Sequence, residues 1–164
     1  MKSWRWIAVA IALLVLASLP WWGSDVLVQF GINALLLAVL AQGWNIIGGY
    51  TGYASFGNSV FYGLGSYGVA IAMAQWQLPF AVGLVFGVVL AVVFALLLGV
   101  PVLRLRGHYF AIATLALAGV MAAIVSNIPL AGQNIGLVLP PLNNDRLFYG
   151  LALGLLIIST SLVY

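Results

Sequence analysis

Ser59 sits in the tetrapeptide Gly57-Asn58-Ser59-Val60, a G-x-S-x setting in which a serine could act as a nucleophile. Such a serine needs a general base within hydrogen-bond reach. The chain holds one histidine, His108, and it lies in the arginine-flanked joint "RLRGH" at 104–108. A membrane serine protease is therefore the weakest reading, because the nucleophile lacks a convincing base. Cysteine and glutamate are absent, and Asp25 and Asp145 are the only acids. One histidine and two loop aspartates make no metal site. Gly63, Gly65 and Gly68 spell G-x-G-x-x-G, but that motif cradles phosphate only between a strand and a helix. Here it lies inside an apolar stretch. We expect no catalytic residue, metal or cofactor in this chain.

The polar residues point elsewhere. The stretch "GWNIIGGYTGYASFGNSVFYGLGSYG" at 43–68 carries eight glycines and no charge. On a helical wheel over 55–71, Ser55, Asn58, Ser59, Tyr62 and Ser66 fall within one arc of about 100°. In an apolar medium a polar arc faces protein or water. It can line the path of a hydrophilic solute, or it can bond one helix to another. The residues alone leave both open. Gln29 and Asn33 share a face of the preceding segment, with Gln42 and Asn45 roughly opposite, and these amides raise the same two possibilities. Glycine costs a helix about 1 kcal/mol relative to alanine. Gly49, Gly52, Gly57, Gly63 and Gly65 are thus expected to serve backbone bending or close packing.

The elements that position these residues follow from composition. Of 164 residues, 65% are hydrophobic and 4% charged. A soluble domain carries about 25% charged residues, so the solvent of this chain is lipid and the fold is all-α. We expect a single transmembrane domain over 1–164, a polytopic protein of about six spans: 4–22, 26–47, 53–74, 79–103, 109–128 and 147–164. The third, glycine-rich span is the one expected to be broken. Gly83, Gly87, Ala91, Ala95 and Gly99 recur every four residues, a small-residue seam for close helix contact, and Thr114, Ala118, Ala122 and Ser126 repeat it.

The net charge of +3 comes from Lys2, Arg5, Arg104, Arg106 and Arg146 at segment ends, so it speaks of membrane orientation and not of nucleic acid. Lys2 and Arg5 put the N-terminus in the cytoplasm. Four crossings later Arg104, Arg106 and His108 form a cytoplasmic loop. The first span also carries the marks of a signal peptide, with "VLA" at 15–17, but its length and Trp21/Trp22 belt suit an uncleaved span better. The chain closes at Tyr164 in an apolar run with no basic anchor, so we expect the N-terminal part of something longer.

Two stretches resemble the ABC importer permeases for branched-chain amino acids. Gly43 and Asn45 match that family's G-x-N, and Gly49, Tyr50 and Gly52 its G-Y-x-G. Ser55 and Gly57 match S-x-G, and Phe61, Gly63, Gly65 and Tyr67 match F-x-G-x-G-A-Y. "LRLRGHYFAIATLALA" at 103–118 is similar to the second shared pattern, L-R-x-x-G-x-Y-F-A-I-x-T-L-A. Asn58 stands where many members carry histidine, and Ser66 replaces the usual alanine. The resemblance implies one membrane subunit of an importer in the bacterial inner membrane. A second homologous permease, a cytoplasmic ABC ATPase dimer and a periplasmic solute-binding protein would complete it. ATP hydrolysis would belong to the ATPase, whose docking loop lies beyond residue 164 in such proteins. Urea and short-amide permeases share the signature, so both solute classes stay open. A non-transporting membrane assembly subunit, its stripes serving packing only, is the reading of another class.

Overall fold

The computed structural model describes residues 14–139 and 144–163. Readings that rest on Lys2, Arg5 or the opening of the first span lie outside them. All regular structure among the described residues is helical. Helix α1 occupies 14–22. Then come α2 (Asp25–Thr51), α3 (Asn58–Ala74), α4 (Phe80–Val102), α5 (His108–Asn127), a 3-10 turn (Pro129–Ala131) and α6 (Asp145–Val163). Helices α2, α4, α5 and α6 are each long and apolar enough to cross a membrane. Lipid offers backbone groups no hydrogen bonds, so the chain satisfies them inside helices. The protein is an all-α, polytopic membrane protein.

The glycine-rich segment 53–74 is not one continuous helix. Helix α2 stops at Thr51 because Gly52 takes φ +70°, a left-handed conformation that glycine adopts without strain. The Gly52 N–H closes the last turn on the Gly48 carbonyl at 3.1 Å. Helix α3 begins only at Asn58, and residues 52–57 are non-helical.

The chain forms two compact units. One takes residues up to Gly43 together with those from Leu142 onward. Its centre is Tyr149 of α6, 1% exposed. The Tyr149 hydroxyl donates to the Leu16 carbonyl at 2.8 Å. Its ring lies where a Cβ on Gly31 would stand 2.7 Å away, so Gly31 is the recess that admits it. Val28, Leu35 and Ala152 complete this core. Helices α2 and α6 start at the same end, where Trp21, Asp25, Asp145 and Arg146 line a polar pocket of about 420 Å³.

The other unit runs from Trp44 to Pro141. Its tightest contact is the α3–α4 hairpin. A Cβ on Gly68 would stand 2.7 Å from the Gly87 Cα, and one on Gly87 would stand 2.5 Å from the Gly65 carbonyl oxygen. Gly83 meets Ala72 and Met73. Trp76 and Phe86 pack edge to face at 5.0 Å across the turn. The upper half of the α4 seam is thus used within the chain, while Ala95 is exposed and Gly99 meets nothing within 4 Å. Val60 and Leu64 of α3 pack on Met121 of α5, backed by Leu90, Phe94 and Leu117.

This geometry predicts a directional effect. Gly87→Leu forces two backbones apart and should lower stability by about 1–3 kcal/mol, seen as a lower melting temperature in detergent. Val88→Leu, on a face 56% exposed, should change it by less than about 0.5 kcal/mol. Equal losses would rule out close approach as the cause.

Candidate functional site

The polar, glycine-rich residues converge on the non-helical stretch 52–57 and the two helix ends beside it. Local sequence explains the approach. In the last turns of α2, the Trp44 ring lies 3.3 Å from where a Cβ on Gly48 would be. The Asn45 Oδ1 lies 2.6 Å from the equivalent point on Gly49. A helical Cβ tilts toward the helix N-terminus, over the residue four positions earlier, so its absence at Gly48 and Gly49 makes room for Trp44 and Asn45. Asn45 itself is exposed.

Beyond Gly52 the chain runs with alternate burial. Ser55 and Gly57 are buried, whereas Gly52, Ala54 and Phe56 are exposed. The inner side docks on α5. The Tyr53 ring stacks at a tilt on Phe110, centroids 5.6 Å apart. A Cβ on Gly57 would stand 3.5 Å from the Thr114 Cβ. The Phe56 N–H donates to Thr114 Oγ1 at 3.1 Å, and the Thr114 hydroxyl donates onward to the Ala111 carbonyl at 2.9 Å. Ser55 Oγ accepts from the Gly57 N–H at 3.4 Å. Thr114 is 4% exposed.

These contacts redistribute the polar arc. Ser55 leaves it, because the wheel assumed helix where the backbone is non-helical. Ser59, Tyr62 and Ser66 remain together on an exposed stripe of α3. Ser59 Oγ donates to the Phe56 carbonyl at 3.5 Å and Ser66 Oγ to the Tyr62 carbonyl at 2.5 Å. Asn58 is half-buried at the head of α3, and its Nδ2 is buried with no hydrogen-bond partner among the described residues. Ser59 and Gly63 also border a groove of about 330 Å³ between α3 and α5, facing Ala118, Ala122 and Ser126. On α5 Ala118 also packs against the Val60–Leu64–Met121 cluster, while Ala122 and Ser126 border the groove. Gly65 sits on the Gly87 contact described above, and Gly63 meets nothing within 4 Å. Arg104, Arg106 and His108 are exposed around the α4–α5 joint. Gly107 there takes φ 60° and ψ −132°, a combination that glycine alone adopts readily.

Thr114 packs closely on Gly57, in keeping with the small-residue reading of α5, but sequence reasoning missed its hydrogen bonds. Its hydroxyl is the feature that separates it. A span beside a glycine-rich, non-helical stretch must supply acceptors for the N–H groups that have lost their helical carbonyls.

The stretches joined by these contacts lie in one family pattern. A family model described as the branched-chain amino acid transport system permease component matches residues 26–139. The chain belongs to this permease family. It is 34% identical over 118 residues to the high-affinity branched-chain amino acid transport system permease protein LivM of Escherichia coli strain K12, covering 71% of this chain and 28% of that protein. The corresponding LivM of Salmonella typhimurium strain LT2 is 32% identical over 118 residues, with the same 71% and 28% coverage. The chain thus spans under a third of the length of these curated relatives. No solved structure matches it significantly.

Asn58 yields a test of sign. A buried donor without a partner costs about 1–3 kcal/mol. In the isolated chain Asn58→Leu should therefore be neutral or raise the melting temperature. A clear fall would mean that Nδ2 holds a bond in the folded chain.

Proposed function

We propose that this chain forms part of a membrane permease subunit of an ABC importer in the bacterial inner membrane, moving branched-chain amino acids. The observation that supports this reading most is the meeting of the two family stretches. Tyr53 packs on Phe110, and the Phe56 N–H bonds Thr114, so the shared residues form one three-dimensional unit. The stripe of Ser59, Tyr62 and Ser66, exposed on this chain, then faces the solute path or a partner helix. The assembly would include a second homologous permease, a cytoplasmic ATPase dimer that hydrolyses ATP, and a periplasmic solute-binding protein.

Parity supports a crossing by the third segment. Asp25 and Asp145 lie at one pocket, so α2 and α6 start at the same membrane face. That requires an even number of crossings between them. Helices α2, α4 and α5 supply three, and residues 52–74 are the fourth. The 17 residues of α3 reach about 25 Å at about 1.5 Å per residue, short of the hydrocarbon core at about 30 Å. The non-helical stretch before it makes up the difference. Charge then orients the molecule, with the N-terminus, Arg104 and Arg106 in the cytoplasm and Gln75–Leu78 outside.

Two measurements test the proposal. Single cysteines placed in this cysteine-free chain should react with an impermeant maleimide from outside at position 77 and not at 106. The reverse pattern inverts the topology. Uptake of labelled leucine, isoleucine or valine by cells making the complete transporter should be saturable and lost without its ATPase. Uptake of urea or short amides in their place would transfer the proposal to that solute class. No uptake of either, with the complex intact, would favour a non-transporting assembly subunit.

A further inference from the structure

Thr114 makes a two-bond relay like those of Ser18 and Thr51, but theirs stay local, whereas its accepted bond joins α5 to a stretch far away in sequence. Helix α2 ends at Gly52, so the N–H groups that follow have no helical carbonyl one turn back. Phe56 N–H lies at the point where the chain turns into α3. Thr114 Oγ1 accepts that N–H at 3.1 Å and donates its own O–H to the Ala111 carbonyl at 2.9 Å. The hydroxyl is buried, at a residue 4% exposed, next to Ser55, also 4% exposed. Phe56 itself is exposed and the bond is partly buried, so an unmet N–H there carries part of its desolvation cost. The neighbouring surfaces fit the same register. Gly57 leaves the space that the Thr114 side chain occupies, and Tyr53 covers Phe110 one turn earlier on α5.

We infer that Thr114 is a positioning residue for solute movement: its hydroxyl clamps the unwound stretch 52–57 to α5 and so fixes the head of α3, where Asn58, Ser59 and Tyr62 stand. The inference rests on the transport reading above for the word "solute", whereas the clamp itself rests on geometry. Valine keeps the shape of threonine and removes both bonds. Serine keeps both bonds and removes a methyl group. The pair therefore separates hydrogen bonding from packing.

The chain has no cysteine, so Ser55→Cys gives a single buried thiol that a small maleimide reaches only when the stretch lifts from α5. In membranes, adding Thr114→Val should speed labelling by about tenfold, and adding Thr114→Ser should leave it near the starting rate. In the complete transporter, Thr114→Val should lower the maximal rate of amino-acid uptake severalfold at unchanged subunit co-purification, and Thr114→Ser should restore it. Equal labelling with Val and Ser overturns the clamp. Faster labelling with uptake unchanged overturns its role in transport. If the parent transporter moves no amino acid, the transport reading fails and the labelling contrast alone decides the clamp.

Discussion

A backbone that leaves the helix inside an apolar protein must find hydrogen bonds elsewhere, and this demand organises the second unit. Lipid supplies none. Once Gly52 turns to φ +70° and ends α2, the following N–H groups need partners from side chains. Thr51 Oγ1 accepts from Tyr53, Ser55 Oγ from Gly57, and Thr114 Oγ1 from Phe56. Two of these acceptors are local. The third belongs to another helix, and with the Tyr53–Phe110 stack and the Gly57–Thr114 contact it fixes where the stretch lies relative to α5. Among hydrogen bonds it is the one that ties the head of α3 to α5, while the Gly68–Gly87 contact holds the rest of α3 to α4.

The glycines answer several constraints, which explains their number. Gly52 and Gly107 supply backbone angles that other residues reach only with strain. Gly48 and Gly49 make room for side chains one turn earlier in their own helix. Gly31 admits a buried tyrosine ring. Gly68 and Gly87 bring two backbones into contact. In a membrane, helices gain little from burying leucine against leucine, since lipid is equally apolar, so close backbone approach carries much of the association. That is why a chain with abundant large apolar residues relies on its smallest ones to hold α3 to α4.

Much of this was legible in the sequence, and the failures have physical causes. Hydropathy placed α2, α4, α5 and α6 to within a few residues, because the span length is set by the bilayer. The every-fourth-residue seam on α4 located Gly83 and Gly87, although periodicity could not say that Ala95 and Gly99 would lie open in this chain. The break at 52–57 was visible as a cluster of glycines, but not its exit point at Asn58. A wheel drawn over 55–71 assumed 100° per residue throughout, so it put Ser55 beside Ser59 when the non-helical backbone there buries it against its own stretch. Thr114 went unrecognised because its partner is a main-chain N–H, and the main chain is the same at every position of a sequence.

Geometry also narrows what the exposed stripe of α3 can do. Serine hydroxyls in helices commonly donate to a carbonyl three or four residues back. Ser59 and Ser66 do so, as do Ser126, Ser159 and Ser161 elsewhere in the chain. A serine satisfied by its own helix makes little demand on a neighbour and sits in lipid at modest cost. Two serines on the α3 stripe are therefore weak grounds for either glue or a solute path. The demand that remains comes from the Tyr62 hydroxyl, on an exposed face, and the Asn58 carboxamide, half-buried with its Nδ2 unpaired among the described residues. Any specific recognition along this stripe falls on those two groups, one turn apart at the end beside Thr114, with Tyr67 lining the groove further along α3.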